Sequence, residues 1–163
     1  MNVIRPIRRD DLGAVTEIYN HYVKNSHATF DVEPFTVETR TPWFSQFGDT
    51  RHQCWVALSD GQLTGYACSM PLKPKAAYAT SVEVSVYMKE AFSGQGLGRK
   101  LYEKLFAAIS PHDVHRAYAL IAQPNEPSMK LHAAFGFQEV SRLNEVGRKF
   151  GRYWDVHWLE RRF

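Results

Sequence analysis

The fold of this chain is restricted above all by a glycine-rich segment between a predicted strand and a predicted helix. Residues 92–100 read FSGQGLGRK and follow the apolar strand pattern of residues 78–88. The helix after them has an apolar stripe with helical spacing, formed by Leu97, Leu101, Leu105 and Ile109. Glycines allow several backbone N–H groups to turn toward one point at a helix N-terminus, where the helix dipole favours an anion. The segment therefore predicts either a pyrophosphate site made of backbone amides or a turn whose glycines serve close packing.

Two common nucleotide-binding motifs do not match this segment. A GxGxxG turn would need glycine where Arg99 stands, and a P-loop would need serine or threonine where Leu101 follows Lys100. A dinucleotide or ATP site is therefore disfavoured, and a polyphosphate ligand would be held chiefly by the backbone.

The hydrophobic patterns in the rest of the chain predict strands and helices that follow one another along the sequence. The predicted strands cover residues 2–8, 53–59, 62–70, 78–88, 117–122, 137–146 and 150–160. The predicted helices are one capped by Asp10 with apolar positions at 12–23, a short one within 25–48, the helix after the glycine-rich segment, and one from Asn125 or Glu126 to Gly136. Asp60-Gly61 predicts a tight hairpin turn, and residues 147–149 predict the turn of the last hairpin. We therefore predict one mixed α/β domain over residues 1–163.

Composition and charge narrow the range of function classes. The 163 residues are 44% hydrophobic and 23% charged, a length and composition typical of one globular domain with enough apolar side chains to form a hydrophobic core. No stretch approaches the roughly 20 apolar residues of a membrane span, and the first residues lack the apolar segment of a secretory signal. We therefore expect a cytoplasmic protein with no membrane partner. The net charge of +3 is compatible with a polyphosphate ligand and gives no indication of nucleic-acid binding.

The cysteines and histidines do not form a recognisable redox or metal motif. Cys54 and Cys68 have neither a CxxC spacing nor a disulfide framework, and the seven histidines include no HExxH pair. We predict no metal ion, and we interpret both cysteines as small buried apolar side chains.

The strand before the glycine-rich segment carries one charged residue, Glu83. Alternation places Val82, Val84, Val86 and Met88 on one face, and Glu83, Ser85 and Tyr87 on the other. A carboxylate in a central strand needs a partner or a wet cleft, and partial burial would raise its pKa toward the range useful for a general base. The alternative is a glutamate held in a salt bridge at a strand edge.

Two segments of the chain resemble the motifs of a known superfamily. Residues 82–100 are similar to the acyl-CoA-binding motif of the GNAT N-acetyltransferases, and residues 125–137, NEPSMKLHAAFGF, are similar to their second motif. IYNHYV, AYATSVEVSVYM, PNEPSMKLHAAFGF and VGRKFGRYWDVHW resemble the phosphinothricin and methionine sulfoximine acetyltransferase subgroup, so that the similarity covers nearly the whole chain.

The resemblance implies a fold, an activity and a partner. The implied fold is a twisted, mostly antiparallel sheet flanked by helices, with acetyl-CoA bound where the Glu83 strand splays from its parallel neighbour at 117–122. The implied reaction is acetylation of the amino group of a small amino-acid-like substrate such as phosphinothricin, methionine sulfoximine or methionine sulfone. The subgroup also implies a homodimer formed through the aromatic C-terminal strand.

The resemblance also implies roles for individual residues. Glu83 matches the general base, acting directly or through water, and Asn125 matches a contact to the cofactor arm. His132 stands where many members have a tyrosine that protonates the departing sulfur, and the alternative is a histidine packed on a helix face.

Backbone amides of Val86, Tyr87 and Met88 would hold the pantetheine arm and polarise the thioester carbonyl. The pyrophosphate would lie against Gly94, Gln95, Gly96, Leu97, Gly98 and Arg99. Ser93 departs from the motif, which prefers glutamine or arginine at this position. Because the cofactor would be held mainly by backbone amides, we expect weakened rather than abolished cofactor binding.

The acceptor pocket is implied less directly. Its expected residues are Phe30, Lys73, Lys75, Glu83, Val84 and Ser85. A lysine could pair with the carboxylate or phosphinate of the acceptor, and the alternative is a hydrated lysine on a loop. Two other functions stay open: acetylation of a protein N-terminus or a polyamine, and a non-catalytic acyl-CoA-binding regulator.

Overall fold

The structure, a computed structural model that describes residues 1–163, is built on one seven-stranded sheet. The strands are β1 (Asn2–Pro6), β2 (Cys54–Ser59), β3 (Gln62–Pro71), β4 (Ser81–Met88), β5 (Arg116–Ala122), β6 (Gln138–Lys149) and β7 (Arg152–Arg162). The α-helices are α1 (Leu12–Asn25), α2 (Val37–Phe44), α3 (Leu97–Ile109) and α4 (Glu126–Ala134). No helix combines the length and the apolar character needed to cross a membrane.

The sheet is antiparallel except at its centre. The strand order is β1-β2-β3-β4-β5-β7-β6, and only β4 and β5 run parallel. Their pairing covers Ser81–Glu83 against Arg116–Tyr118 and then ends, so that the two strands separate beyond Glu83. The predicted mixed α/β class and the parallel neighbour of the Glu83 strand are confirmed.

Alternate residues of the central strands pack into two cores on opposite faces of the sheet. On one face, Val56 and Tyr66 pack with Val15 and Ile18 of α1. On the other face, the neighbouring Ala57 and Ala67 pack against α3, whose Leu101 is fully buried. Each strand of this central part of the sheet is therefore fixed from both sides.

The turns agree with the sequence in one hairpin and differ in another. Asp60 and Gly61 form the predicted turn between β2 and β3, with φ of 48° and 81°. The predicted turn at residues 147–149 is wrong, because these residues belong to β6 and the chain reverses at Phe150-Gly151, with φ of 54° and 72°. Gly147 serves a close approach instead: a Cβ on it would lie 2.1 Å from Cε2 of Phe30.

The predicted strand at 78–88 begins three residues later than expected. Ala76–Tyr78 form a short 3-10 helix, and β4 starts at Ser81. Apolar residues alone do not separate a short turn from the strand that follows it.

Candidate active site

Two cavities meet where β4 and β5 separate. One, of about 380 Å³, extends from β4 to the glycine-rich segment and α4, and it is called the cofactor cleft below. The other, of about 430 Å³, lies beside α1 and α2 and contains Glu83, and it is called the acceptor cavity below. Both cavities are lined by Ala28, Ser85, Tyr87, Leu120 and Ala122. A group bound in one cavity can therefore reach a group bound in the other at this shared wall.

The glycine-rich segment presents a row of free backbone donors. Gly94 and Gly96 have positive φ, of 75° and 76°, and Gly96 is the N-cap of α3. The first amide to bond back into the helix is Lys100 N, 3.2 Å from the carbonyl oxygen of Gly96, and none of the amides of residues 94–99 donates to a backbone carbonyl. Consecutive free N–H groups at a helix N-terminus fit a pyrophosphate.

The residues predicted for the pyrophosphate differ in what they offer. Gly94, Gly96, Gly98 and Arg99 line the cofactor cleft. Leu97 is buried in the core, and the side chain of Gln95 donates to the carbonyl of Ala91 at 3.0 Å. Leu97 and Gln95 therefore have only their backbone amides to offer. Ser93 lines the cleft, so the departure from the motif replaces a long side chain by a short one at the cleft wall.

The backbone of β4 has donors that face the gap. Lys89 N donates to the carbonyl of Thr64 in β3 at 2.8 Å, and successive N–H groups of a strand point to opposite sides. The amides of Val86 and Met88 therefore point away from β3, toward the gap, and they lie beyond the last residues paired with β5. The amide of Tyr87 faces β3, contrary to the expectation that it holds the cofactor arm. Tyr87 contributes its side chain, which lines both cavities.

Glu83 lies in the acceptor cavity, half-buried. Burial raises the pKa of its carboxyl group above the ordinary value, and the positive charge of Lys73 offsets part of that rise. The expected neighbours Val84 and Ser85 divide between the cavities: Val84 lines the cofactor cleft, and Ser85 lines both. A carboxylate with a raised pKa at this place has the chemistry of a general base.

The two predicted lysines do not line either cavity. Lys73 lies 5.8 Å from the ring centre of Trp158 and acts on Glu83 only through its charge, and Lys75 is exposed. Both lysines lie in the exposed segment that follows the end of β3 at Pro71, where their ammonium groups are hydrated. The prediction that they contact the acceptor does not fit this geometry, whereas Phe30 does line the acceptor cavity.

Helix α4 brings Asn125 and His132 to the cofactor cleft. The Oδ1 atom of Asn125 accepts from Ser128 N at 3.2 Å and caps the helix, which leaves its amide nitrogen for a ligand.

The predicted role of His132 as general acid does not fit its hydrogen bonds. Its Nδ1 lies 2.7 Å from the carbonyl of Ser128, which can only accept, and its Nε2 lies 2.8 Å from the hydroxyl of Tyr102. Burial lowers the pKa of His132, so the ring is neutral near pH 7. Both nitrogens are engaged within the protein, and neither offers a proton to the cleft.

Sequence reasoning missed Arg40 and Tyr66, which line the acceptor cavity. The Arg40 guanidinium stacks 4.1 Å from the ring centres of both Tyr19 and Trp43. The available signal was a single arginine among the aromatic residues of segment 25–48, and only the fold shows that its head is buried.

Comparisons with known proteins agree with this geometry. A family model described as an acetyltransferase (GNAT) domain matches residues 4–158. A phosphinothricin N-acetyltransferase of Streptomyces coelicolor is 50% identical over 161 residues, which are 97% of this chain and 94% of the relative. An L-methionine sulfoximine/L-methionine sulfone acetyltransferase of Salmonella typhimurium is 32% identical over 96% of this chain and 92% of its own length.

A solved structure adds a bound co-substrate to the comparison. A phosphinothricin acetyltransferase of the GNAT superfamily from Sinorhizobium meliloti, in complex with acetyl-CoA, superimposes with a TM-score of 0.94. It is 28% identical, and the match covers 99% of this chain and 88% of that one.

Proposed function

The chain belongs to the GNAT acetyltransferase family, and from this premise we propose that it transfers an acetyl group from acetyl-CoA to the α-amino group of a small amino acid. The observation that carries the proposal is the shared wall of the two cavities, with the raised-pKa carboxylate of Glu83 beside it. The named activities of the relatives from Streptomyces coelicolor and Salmonella typhimurium direct us to phosphinothricin, methionine sulfoximine and methionine sulfone as acceptors.

The residues divide the work of binding the co-substrate. Acetyl-CoA supplies the activated acetyl group as a thioester. The free amides of residues 94–99 would hold the pyrophosphate, and the amide nitrogen of Asn125 would contact the arm. The amides of Val86 and Met88 face the gap and would donate to the arm and to the thioester oxygen, where negative charge develops during attack.

Glu83 would act on the acceptor. An amino acid enters as an ammonium group, which must lose a proton before the nitrogen can attack. Glu83, in its ionised form, accepts that proton directly or through one water molecule. Burial helps because it raises the basicity of the carboxylate, and the shared wall keeps the deprotonated amine next to the thioester.

We propose that His132 is a positioning residue rather than the general acid. Its hydrogen bonds join Ser128 of α4 to Tyr102 of α3, the two helices that carry the cofactor cleft. A neutral histidine fixed from both sides holds α4 against α3 and thereby holds Asn125 at the cleft.

The proposal also covers the oligomeric state of the protein and its location in the cell. The edge strand β6 is exposed over most of its length and carries three exposed apolar side chains, Val140, Leu143 and Val146, and Phe150 and Tyr153 are exposed beside it. A long, exposed edge strand is a template for pairing with a second chain, which supports a homodimer formed through β6 rather than through the C-terminal strand β7, since β7 lies between β5 and β6. The use of acetyl-CoA supports the cytoplasm as the place of action.

A polyamine acceptor is less compatible with the acceptor cavity. The buried cation of Arg40 lines this cavity, and a polyamine brings no anionic group to pair with it.

The test is release of free CoA thiol with a panel of acceptors. The panel contains phosphinothricin, methionine sulfoximine, methionine sulfone, ordinary amino acids, spermidine and N-terminal peptides. We expect turnover with the first three, lost in Glu83→Gln by a factor of about 100 or more. Glu33→Gln, at an exposed loop position, is the matched control and should behave as the wild type. Turnover of peptides or spermidine above the first three would overturn the acceptor class, and full activity of Glu83→Gln would overturn the base.

A further inference from the structure

Arg40 is a buried cation without a carboxylate partner. The residue is 7% exposed, and its Nε has no hydrogen-bond partner. The arginines that form ion pairs in this protein are Arg5, Arg51, Arg99, Arg116 and Arg142, so Arg40 is not among them. Asp31 also lines the acceptor cavity, but its carboxylate accepts from the hydroxyl of Tyr19 and does not reach Arg40 at ion-pair distance.

Aromatic rings compensate only part of the cost of burying this charge. The guanidinium lies 4.1 Å from the ring centres of Tyr19 and Trp43 and 5.0 Å from that of Phe35. Cation–π contacts offset only part of the free energy that it costs to remove an ion from water. The rings fix the orientation of the guanidinium, but its buried Nε–H still lacks an acceptor.

Tyr66 provides a second, independent unsatisfied group at the same cavity. It is 1% exposed, and its hydroxyl has no hydrogen-bond partner. Tyr66 lies in the middle of β3, and its ring is 5.7 Å from that of Trp43, which also stacks on Arg40. Buried polar groups in folded proteins are nearly always paired, so two unpaired groups beside one cavity indicate a ligand that pairs with them.

We infer that Arg40 and Tyr66 form an oxyanion-binding subsite of the acceptor cavity. The inference rests on the proposed function, and it deepens it by defining the second end of the acceptor. Glu83 and Asp31 supply negative charge to the same cavity, and Arg40 supplies the positive charge. The acceptor is then a zwitterion: its ammonium group lies at Glu83, and an anionic or strongly accepting oxygen group lies at Arg40.

The oxygen group has two possible sources in a small amino acid. One is the α-carboxylate, and the other is the oxygen-bearing head of the side chain, a phosphinate or a sulfone. The guanidinium can donate to either, because both present oxygens at a spacing suited to its planar fork. The chemistry of the subsite is the same in both cases, and matched acceptors separate them.

The experiment measures binding by calorimetry and, separately, turnover. The probes are phosphinothricin, methionine sulfone, the carboxamide of methionine sulfone, and methionine. The variants are Arg40→Met, Tyr66→Phe and the control Arg9→Met at an exposed position. We expect the dissociation constant for methionine sulfone to rise about tenfold or more in Arg40→Met and about threefold in Tyr66→Phe. The affinity for acetyl-CoA should stay unchanged in all three variants.

Tyr66→Phe keeps the test decisive if Arg40→Met does not fold. The variant removes only a hydroxyl group that is unpaired in the free protein, so its melting temperature should equal or exceed that of the wild type. A loss of affinity without a loss of stability identifies a ligand-binding hydroxyl. If the effect of the variants disappears with the carboxamide, the subsite binds the α-carboxylate, and if it disappears with methionine, it binds the side-chain oxygens.

The outcomes distinguish this inference from the proposed function. Wild-type affinity of both variants for every probe would overturn the subsite, even if the enzyme acetylates methionine sulfone. Absence of probe binding to the wild type would overturn it as well. Weakened binding in the variants without any acetylation by the wild type would support the subsite and contradict the proposed acceptors.

Discussion

At the scale of the residue, the pKa of Glu83, which burial raises and the charge of Lys73 partly lowers, sets the pH at which Glu83 can act. Because the base must be ionised, kcat/KM should fall as the pH falls through the pKa of Glu83, which burial raises above its ordinary 4.5. Lys73 lowers that pKa, so Lys73→Ala should raise it and move the acid limb of the profile to higher pH. Lys75→Ala is the matched control, since Lys75 is exposed and should leave the limb in place.

The pH profile also separates the electrostatic role of Lys73 from direct contact with the acceptor. Equal increases in the KM of the acceptor for both lysine variants, with no movement of the acid limb, would mean that the lysines contact the acceptor after all. A shifted limb with an unchanged KM at high pH supports the arrangement described for the acceptor cavity.

The role of His132 can be read from its hydrogen-bond partner. His132→Phe leaves the Tyr102 hydroxyl unpaired and removes the side-chain bond to the Ser128 carbonyl, and Tyr102→Phe leaves Nε2 of His132 unpaired. We expect both variants to lower the free energy of unfolding by about 1–3 kcal/mol, with similar and modest losses of kcat. Denaturant unfolding and steady-state kinetics check this. A large loss of kcat in His132→Phe alone, with the basic limb of the pH profile abolished, would restore the general acid.

Single residues also show the limit of sequence reasoning. Glu83 was identifiable because strand alternation isolates one charged residue on a face that otherwise holds Ser85 and Tyr87. Arg40 was not, because its place depends on how α2 packs against α1 and the sheet, and no periodic signal in Val37–Phe44 encodes that contact. His132 was found by resemblance, but the bonds that engage both its nitrogens come from Tyr102, thirty residues away in the chain.

At the scale of the element, Gly65 determines how closely β3 approaches β4. A Cβ at this position would lie 2.3 Å from Sδ of Met88 and 2.9 Å from the carbonyl oxygen of Tyr87. Gly65→Ala should therefore push Tyr87 and Met88 away, cost about 1–3 kcal/mol in the free energy of unfolding and raise the dissociation constant of acetyl-CoA. Gly13→Ala in α1 is the control, because nothing lies within 4 Å of its added Cβ. Unchanged stability and unchanged cofactor affinity of Gly65→Ala would contradict this account.

Turns were predictable from the sequence where the local residue preference and the position of the residues in the fold agree. Asp60-Gly61 is a turn because both residues adopt positive φ there, which the dipeptide favours on its own. Gly147 suggested a turn by the same reasoning, yet it lies in β6 because the Phe30 ring occupies the space of a side chain. A glycine that allows a close approach cannot be told from a turn glycine until the partner is known.

At the scale of the whole molecule, the exposed edge of the sheet predicts the oligomeric state. If two copies associate through β6, Val140→Glu combined with Val146→Glu should convert the dimer to a monomer, because charges would be buried at the interface. Val3→Glu is the control: Val3 is exposed on the opposite edge strand, β1, and should not affect association. Light scattering after gel filtration gives the mass. A monomeric wild type, or a doubly substituted variant that stays dimeric, would contradict association through β6.

The short pairing between β4 and β5 has a consequence for how the molecule responds to its co-substrate. Beyond Glu83 the pantetheine arm would take the position of a missing strand, so that binding completes the sheet with a chain that is not a peptide. Hydrogen exchange should show this as an alternating pattern: acetyl-CoA slows the amides of Val86 and Met88, whereas the amide of Tyr87 is already slow because it faces β3. Uniform slowing along β4 would instead mean general rigidification. Ligand at a hundred times its dissociation constant adds about 2.7 kcal/mol to the free energy of unfolding. With the alternating pattern, the hydrogen bonds of β4 beyond Glu83 are complete on both sides only while the enzyme holds acetyl-CoA.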